Sequence, residues 1–95
     1  MADRRLLVVL DPHVETERLI DEACELADEW SVVTAVAVLE VPPTLPLDAP
    51  LGDAEKAARS LLRRAQTEGA ARGRHVEGRL VRTRNARAAI RRLTA

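Results

Sequence analysis

The sequence has few aromatic residues, a single cysteine and no excess of charge. Phe and Tyr are absent and Trp30 is the only aromatic side chain among 95 residues, so Leu, Val, Ile and Ala must form the core. Cys24 has no partner for an internal disulfide, which favours a reducing, cytoplasmic location. The 15 basic and 15 acidic side chains cancel, which argues against nucleic-acid binding through a strong overall field.

The chain also lacks a long hydrophobic run. A bilayer span needs roughly 20 apolar residues, and no stretch approaches that length. The short apolar run near the amino terminus is not followed by the small-residue cleavage site of a signal peptide. We therefore expect no membrane insertion. The length fits one domain over residues 1–95, with a core small enough that help from a partner is expected.

Three segments have the patterns of β-strands. Leu6–Leu10 and Val32–Leu39 are continuous apolar runs that end near prolines, and such runs are typical of strands covered on both faces of a parallel sheet. Both are predicted to be interior strands. His75–Val81 alternates between apolar and polar residues, which predicts an edge strand with one solvated face.

Helical spacing of apolar residues predicts three helices. The second begins at Gly52–Asp53 and stops near Gly73, and the third is capped by Asn85. The order β-α-β-α-β-α predicts an α/β fold, a three-layer or partial doubly wound parallel sheet of strand order 3-2-1. The apolar stripe of the first helix is predicted to comprise Leu19, Ile20, Ala23, Leu26, Ala27 and Trp30.

These segments, in this order, resemble the universal stress protein family. Leu7–Asp11 followed by Glu15–Ala27 is similar to the family's first strand and helix, and Thr34–Pro42 to its second strand. Val76–Arg82 followed by Ala88–Ile90 is similar to its third strand and helix. The resemblance implies a truncated fold of the universal-stress-protein and adenine-nucleotide-hydrolase-like type. The proline-rich insert is also similar to stress-protein domains attached to permeases and antiporters.

The resemblance further implies an incomplete nucleotide site. By the match, Asp11 stands where family members contact ribose or adenine, and Val38 where they touch adenine. The glycine-rich phosphate loop has no counterpart, and Arg84 and Ala86 replace the glycine and proline expected after the third strand. No cofactor is required, and ATP or another adenine nucleotide is expected to bind weakly or not at all.

Several other residues have two interpretations. Asp11 follows a strand end, where open α/β sheets bind ligands, yet it also suits a turn before a proline. His13 and His75 are expected to be exposed and form no metal site, and Cys24 to be a small, partly buried side chain rather than a redox thiol. Six arginines could bind phosphate or an acidic partner, or form a solvated face: Arg79, Arg82, Arg84, Arg87, Arg91 and Arg92.

The long segment from Glu40 to Leu51 is expected to be a stiff flap, either a simple spacer or a loop that closes over a ligand. It does not by itself indicate a catalytic site, and no catalytic residue is predicted anywhere in the chain.

We expect a non-catalytic binding and regulatory module that self-associates. The family's fourth and fifth strands have no counterpart here, and the fifth often makes the family's dimer. Without the fourth strand the first strand keeps one unpaired edge, which predicts a homodimer or higher oligomer through that strand or its helix. The alternatives are an ATP-binding or ATP-hydrolysing stress protein, and a structural subunit that needs a protein partner.

Overall fold

Strands and helices alternate along residues 4–94, which are the residues that the computed structural model describes. The predicted order is confirmed, and the observed strands extend one or two residues beyond most of the predicted ends. No helix in this part of the chain is both long and apolar enough to cross a membrane. The elements are β1 (Arg4–Leu10), α1 (Thr16–Leu26), β2 (Ser31–Glu40), α2 (Asp53–Ala71), β3 (Val76–Thr83) and α3 (Ala86–Thr94).

The three strands form a parallel sheet of order β1-β2-β3, which is the predicted arrangement. β2 lies in the middle and is buried without interruption from Val33 to Ala37. β3 is an edge strand, as predicted. The side-chain pattern alone indicated an interior strand for β1, whereas within residues 4–94 it pairs with β2 alone, as the predicted order 3-2-1 requires. A continuous apolar run indicates that both faces of a strand are covered. It does not indicate whether another strand pairs with each of its edges.

The main core lies on the face of the sheet that α1 and α2 cover. In register, Leu6, Val8 and Leu10 of β1 pair with alternate residues of β2, so their side chains share this face. The β2 residues here include two alanines, whose small side chains allow the helices to approach closely. The buried cluster comprises Leu10, Ile20, Ala23, Val33, Ala35, Ala37, Ala58, Leu62, Ala65 and Val76.

The other face of the sheet is covered by α3. This helix contacts β2 and β1, and its Ala89 is buried. Val36 of β2 is fully buried on the same side, because its neighbours in sequence face α1 and α2. The described chain therefore has three layers, with two helices on one face and one on the other.

The predicted helix signals at Gly73 and Asn85 are confirmed. Gly73 adopts a φ of 71° just after α2, a conformation that favours glycine. The side chain of Asn85 accepts a hydrogen bond from the backbone N–H of Ala88 at 3.1 Å and so caps α3.

The prediction that Trp30 closes the apolar stripe of α1 was wrong. The helix ends at Leu26, and Trp30 lies in the following turn with 52% of its surface exposed. The Asp28 carboxylate accepts hydrogen bonds from the Trp30 backbone N–H and the Ser31 hydroxyl, both at 2.9 Å. Such side-chain to backbone bonds compete with helical pairing and explain why the chain leaves the helix early.

We predict that Ile20→Ala destabilises the fold by about 2–5 kcal/mol, since it removes a large side chain from a fully packed position. Ile20 is completely buried between α1 and the sheet. Urea unfolding at a fixed protein concentration measures the effect. Leu47→Ala, at a loop position with 45% exposure, is the control and should change stability by less than about 0.5 kcal/mol. Equal effects at the two positions would contradict the packing described above.

We also predict that Gly69→Ala destabilises the protein by about 1–3 kcal/mol, although alanine is the better helix former. Gly69 is buried in α2, and a Cβ there would overlap the side chain of Val76 and lie 3.1 Å from the carbonyl oxygen of Arg74. Thr67→Ala, at an exposed position of the same helix, serves as the control in thermal melts. A higher melting temperature for Gly69→Ala would show that α2 has room to move away from β3.

Candidate functional site

Asp11 lies directly after β1, at the carboxyl edge of the sheet, and its side chain is exposed. Its Oδ1 accepts a hydrogen bond from the His13 backbone N–H at 2.8 Å, and its carbonyl oxygen accepts one from the Val14 N–H at 3.0 Å. The turn role that the sequence allowed for Asp11 is therefore present. Its role toward a ligand stays a prediction.

Val38 lies at the same edge of the sheet as Asp11. The last paired residues of β1 and β2 are Leu10 and Ala37, so Asp11 and Val38 are the next residue on each strand. Beside Val38 is a small cleft between these strand ends and the first turns of α2, with a cavity volume of about 130 Å³. Its lining is apolar throughout: Leu10, Pro12, Ala37, Val38, Leu39, Ala54, Ala57, Ala58 and Leu61.

The cleft is small for a complete nucleotide. Small-molecule sites usually enclose about 300–1,000 Å³ and place a few polar groups to orient the ligand. This cleft can take a ring or a short aliphatic group, and its lining side chains offer no hydrogen bond. The nearest predicted polar contact is Asp11, which lies just outside the lining residues.

The N-termini of α2 and α3 at this edge are poorly suited to phosphate. At the start of α3, a carboxylate oxygen of Glu40 accepts a hydrogen bond from the Ala86 N–H at 2.9 Å, and Asn85 caps the Ala88 N–H. The first turn of α2 carries Asp53 and Glu55. Free N–H groups at a helix start attract anions, but here carboxylates already occupy or surround them.

Two of the predicted surface arginines fasten the loop between β2 and α2. Arg84 donates to the carbonyl oxygens of Pro42 and Leu45, both at 2.6 Å, and Arg82 donates to that of Ala49 at 2.9 Å. Arg82 also forms an ion pair with Glu55. The hydrogen bond that the Arg82 guanidinium donates to Glu55 lowers the pKa of the Glu55 carboxyl below its ordinary value. The exposed-face interpretation was therefore wrong for Arg82, whose side chain is only 23% exposed.

These contacts give a physical basis for the stiffness predicted for the loop, since backbone carbonyls at three positions along it are held by β3 and the residue after it. Arg79, Arg87, Arg91 and Arg92 are exposed, as predicted.

The remaining candidates lie apart from one another. His13 is exposed at the carboxyl edge of the sheet, whereas His75 is exposed just before β3, at the amino edge. Cys24 is partly buried against the core. Within residues 4–94, no group of three or more His, Cys, Asp or Glu side chains is arranged to hold a metal ion.

A second concave surface runs along the free edge of β1, and we call it the β1–α1 groove. It has a cavity volume of about 280 Å³, and one wall ends at Leu26, which is 77% exposed. The sequence placed Leu26 within the apolar stripe of the helix. Its exposure depends on β1 lying at the sheet edge, which the side-chain pattern did not reveal. The groove is lined by Leu6, Leu7, Val8, Val9, Leu19, Glu22, Ala23 and Leu26.

The chain is similar in structure to a solved protein of the universal stress protein family from Burkholderia pseudomallei. The two share 26% sequence identity and superpose with a TM-score of 0.66. The match covers 96% of this chain and 75% of the other. No protein-family model and no curated protein sequence matches the chain. The likeness confirms the family resemblance seen in the sequence, and the chain is a universal-stress-protein-like α/β domain.

Proposed function

We propose that this protein is a non-catalytic binding and regulatory module that self-associates through β1 and α1. The observation that carries the proposal is the β1–α1 groove with its exposed Leu26. Beside it, one edge of β1 has no neighbouring strand within residues 4–94. An apolar edge strand of this kind is a template for pairing with another chain.

A second copy of the chain would satisfy two needs at once. The backbone N–H and C=O groups on the free edge of β1 would gain partners, and the leucine and valine side chains of the groove would be shielded from water. Burial of apolar surface contributes about 25 cal/mol per Å², and small domains often gain stability by oligomerising. Most soluble homo-oligomers are symmetric, and a two-fold dimer is the simplest arrangement.

The proposal assigns at most weak adenine-nucleotide binding to the cleft beside Val38. Its apolar lining is compatible with a base, and Asp11 is near enough in sequence and register to meet a ribose. The carboxylates at the starts of α2 and α3 disfavour a triphosphate. The same features support the non-catalytic assignment over the alternative of an ATP-hydrolysing stress protein. A cytoplasmic location and a role in stress responses are parts of this proposal.

We predict that ATP binds no more tightly than about millimolar, a free energy of about 4 kcal/mol. Titration calorimetry, with chemical-shift perturbation for the weak range, measures this affinity. Asp11→Ala should weaken it only modestly, because the proposal assigns that exposed residue one ribose contact and no phosphate contact. Micromolar affinity that disappears in Asp11→Ala would overturn the proposal in favour of the nucleotide-dependent alternative.

We predict that the wild-type protein is a dimer or higher oligomer and that Leu26→Glu raises its dissociation constant by about tenfold or more, since it places a charge in an apolar interface. Leu26 is mostly exposed in the single chain, so the variant should keep its fold. Sedimentation equilibrium over a dilution series gives the constant. Leu47→Glu, at an exposed leucine of the distant β2–α2 loop, is the matched control. A wild-type monomer at high micromolar concentration would refute self-association.

A further inference from the structure

The free edge of β1 restricts how two copies can pair. A two-fold axis normal to the sheet makes the two β1 strands antiparallel and keeps every side chain on its own face. Directly opposed residues in antiparallel strands share a face, and neighbours along a strand alternate between faces. The axis must therefore pass through a residue that opposes its own copy, which leaves only a few possible registers.

One of these registers matches residue types from Arg5 to Asp11. With Val8 on the axis, Leu6 opposes the partner's Leu10, Leu7 opposes the partner's Val9, and Arg5 opposes the partner's Asp11. Within Arg5–Asp11 every apolar side chain then meets an apolar one and each charge meets its opposite, while Arg4 opposes Pro12 of the partner subunit, which lies beyond the end of β1.

The neighbouring registers each set charged residues against apolar ones. An axis through Leu7 opposes Arg4 and Leu10, and an axis through Leu6 opposes Arg4 to Val8 and Arg5 to Leu7. An axis through Val9 sets Leu7 against Asp11. Opposite charges across a strand pair are favourable, and charge complementarity is what selects a wanted partner and register.

Arg5 and Asp11 are available for this pairing. Both are exposed, and neither takes part in an ion pair among residues 4–94. Asp11 uses Oδ1 for the turn hydrogen bond to His13. A carboxylate has two oxygens and can accept a guanidinium through the other.

The same axis also fits the helices. Leu6, Val8 and Leu10 face α1, so the two α1 helices lie on one side of the joined sheet and run antiparallel beside the axis. The groove wall formed by Leu19, Glu22 and Leu26 of one copy then faces the corresponding wall of the other. This buries Leu26, the most exposed large apolar side chain in the described chain.

We infer that two copies join their sheets through antiparallel β1 strands centred on Val8, with Arg5 of each chain opposite the partner's Asp11. The result is a continuous six-stranded sheet of order 3-2-1-1-2-3. This inference rests on the proposed self-association and adds the register, the orientation and the charged pair that fixes them.

Cysteine cross-linking in a Cys24→Ser background tests the register. Opposed residues have Cα atoms about 4.5–5.5 Å apart, within the range of a disulfide. Val8→Cys should therefore form a covalent dimer under mild oxidation. Leu6→Cys is the matched control on the same face, because its copy lies about 13 Å away along the strands. Leu6→Cys mixed with Leu10→Cys should cross-link. Cross-linking of Leu6→Cys or Leu7→Cys alone would overturn the register.

Charge reversal tests the ion pair without relying on any one variant. Arg5→Asp or Asp11→Arg alone sets like charges together twice, which should raise the dissociation constant about tenfold or more. An equimolar mixture of the two variants should form a heterodimer of near wild-type affinity, because both pairs become attractive again. Arg63→Asp, an equal change of charge at an exposed position of α2, is the control.

The outcomes separate the two proposals. A wild-type monomer refutes self-association itself. Suppose instead that the wild-type protein is a dimer, that neither charge reversal changes its dissociation constant, and that Val8→Cys forms no cross-link. Self-association would then stand, and the proposed β1 register would be wrong.

Discussion

Burial of β2 on both faces is the constraint on which the rest of the structure depends. Val33 and Val36 are fully buried on opposite sides of the strand, one under α1 and α2 and the other under α3. Even Thr34 is buried, and its hydroxyl donates to a carboxylate oxygen of Glu77 on β3 at 3.3 Å. Within residues 4–94 both outer strands are held in the sheet through β2, since β1 and β3 each pair with it.

The sequence predicted those parts of the fold that depend on local pattern. Apolar runs, a glycine with positive φ and an asparagine cap each act within a few residues, so strands, helix ends and their order could be inferred. One local error has a physical cause. Asp28 accepts hydrogen bonds from the Trp30 backbone N–H and the Ser31 hydroxyl beyond α1, and Trp30 lies outside the helix. The edge position of β1 followed from the predicted strand order, since the pattern of side chains within β1 carries no information about its lateral neighbours.

The site was predictable to a smaller extent. The family resemblance indicated Asp11 and Val38, and the register of β1 and β2 places them at the same edge. The role of Arg82 and Arg84 was not predictable, since their acceptors are carbonyl oxygens 33 to 42 residues earlier in the chain. Neither residue type nor spacing identifies a backbone acceptor at that distance. Only the folded loop shows that these guanidinium groups stabilise the structure.

Asp11 connects the two proposed activities. In the β1-paired dimer its carboxylate faces the partner's Arg5, whereas a bound nucleoside would use the same carboxylate for a ribose hydroxyl. A ligand that binds only one of two states shifts the equilibrium by its difference in affinity, and the coupling is reciprocal. If the two contacts exclude one another, nucleoside binding favours the monomer and dimerisation weakens nucleoside binding. The cleft beside Val38 would then regulate the oligomeric state despite its low affinity. A ligand with a millimolar dissociation constant shifts the monomer–dimer equilibrium toward the monomer when it is present at millimolar concentration.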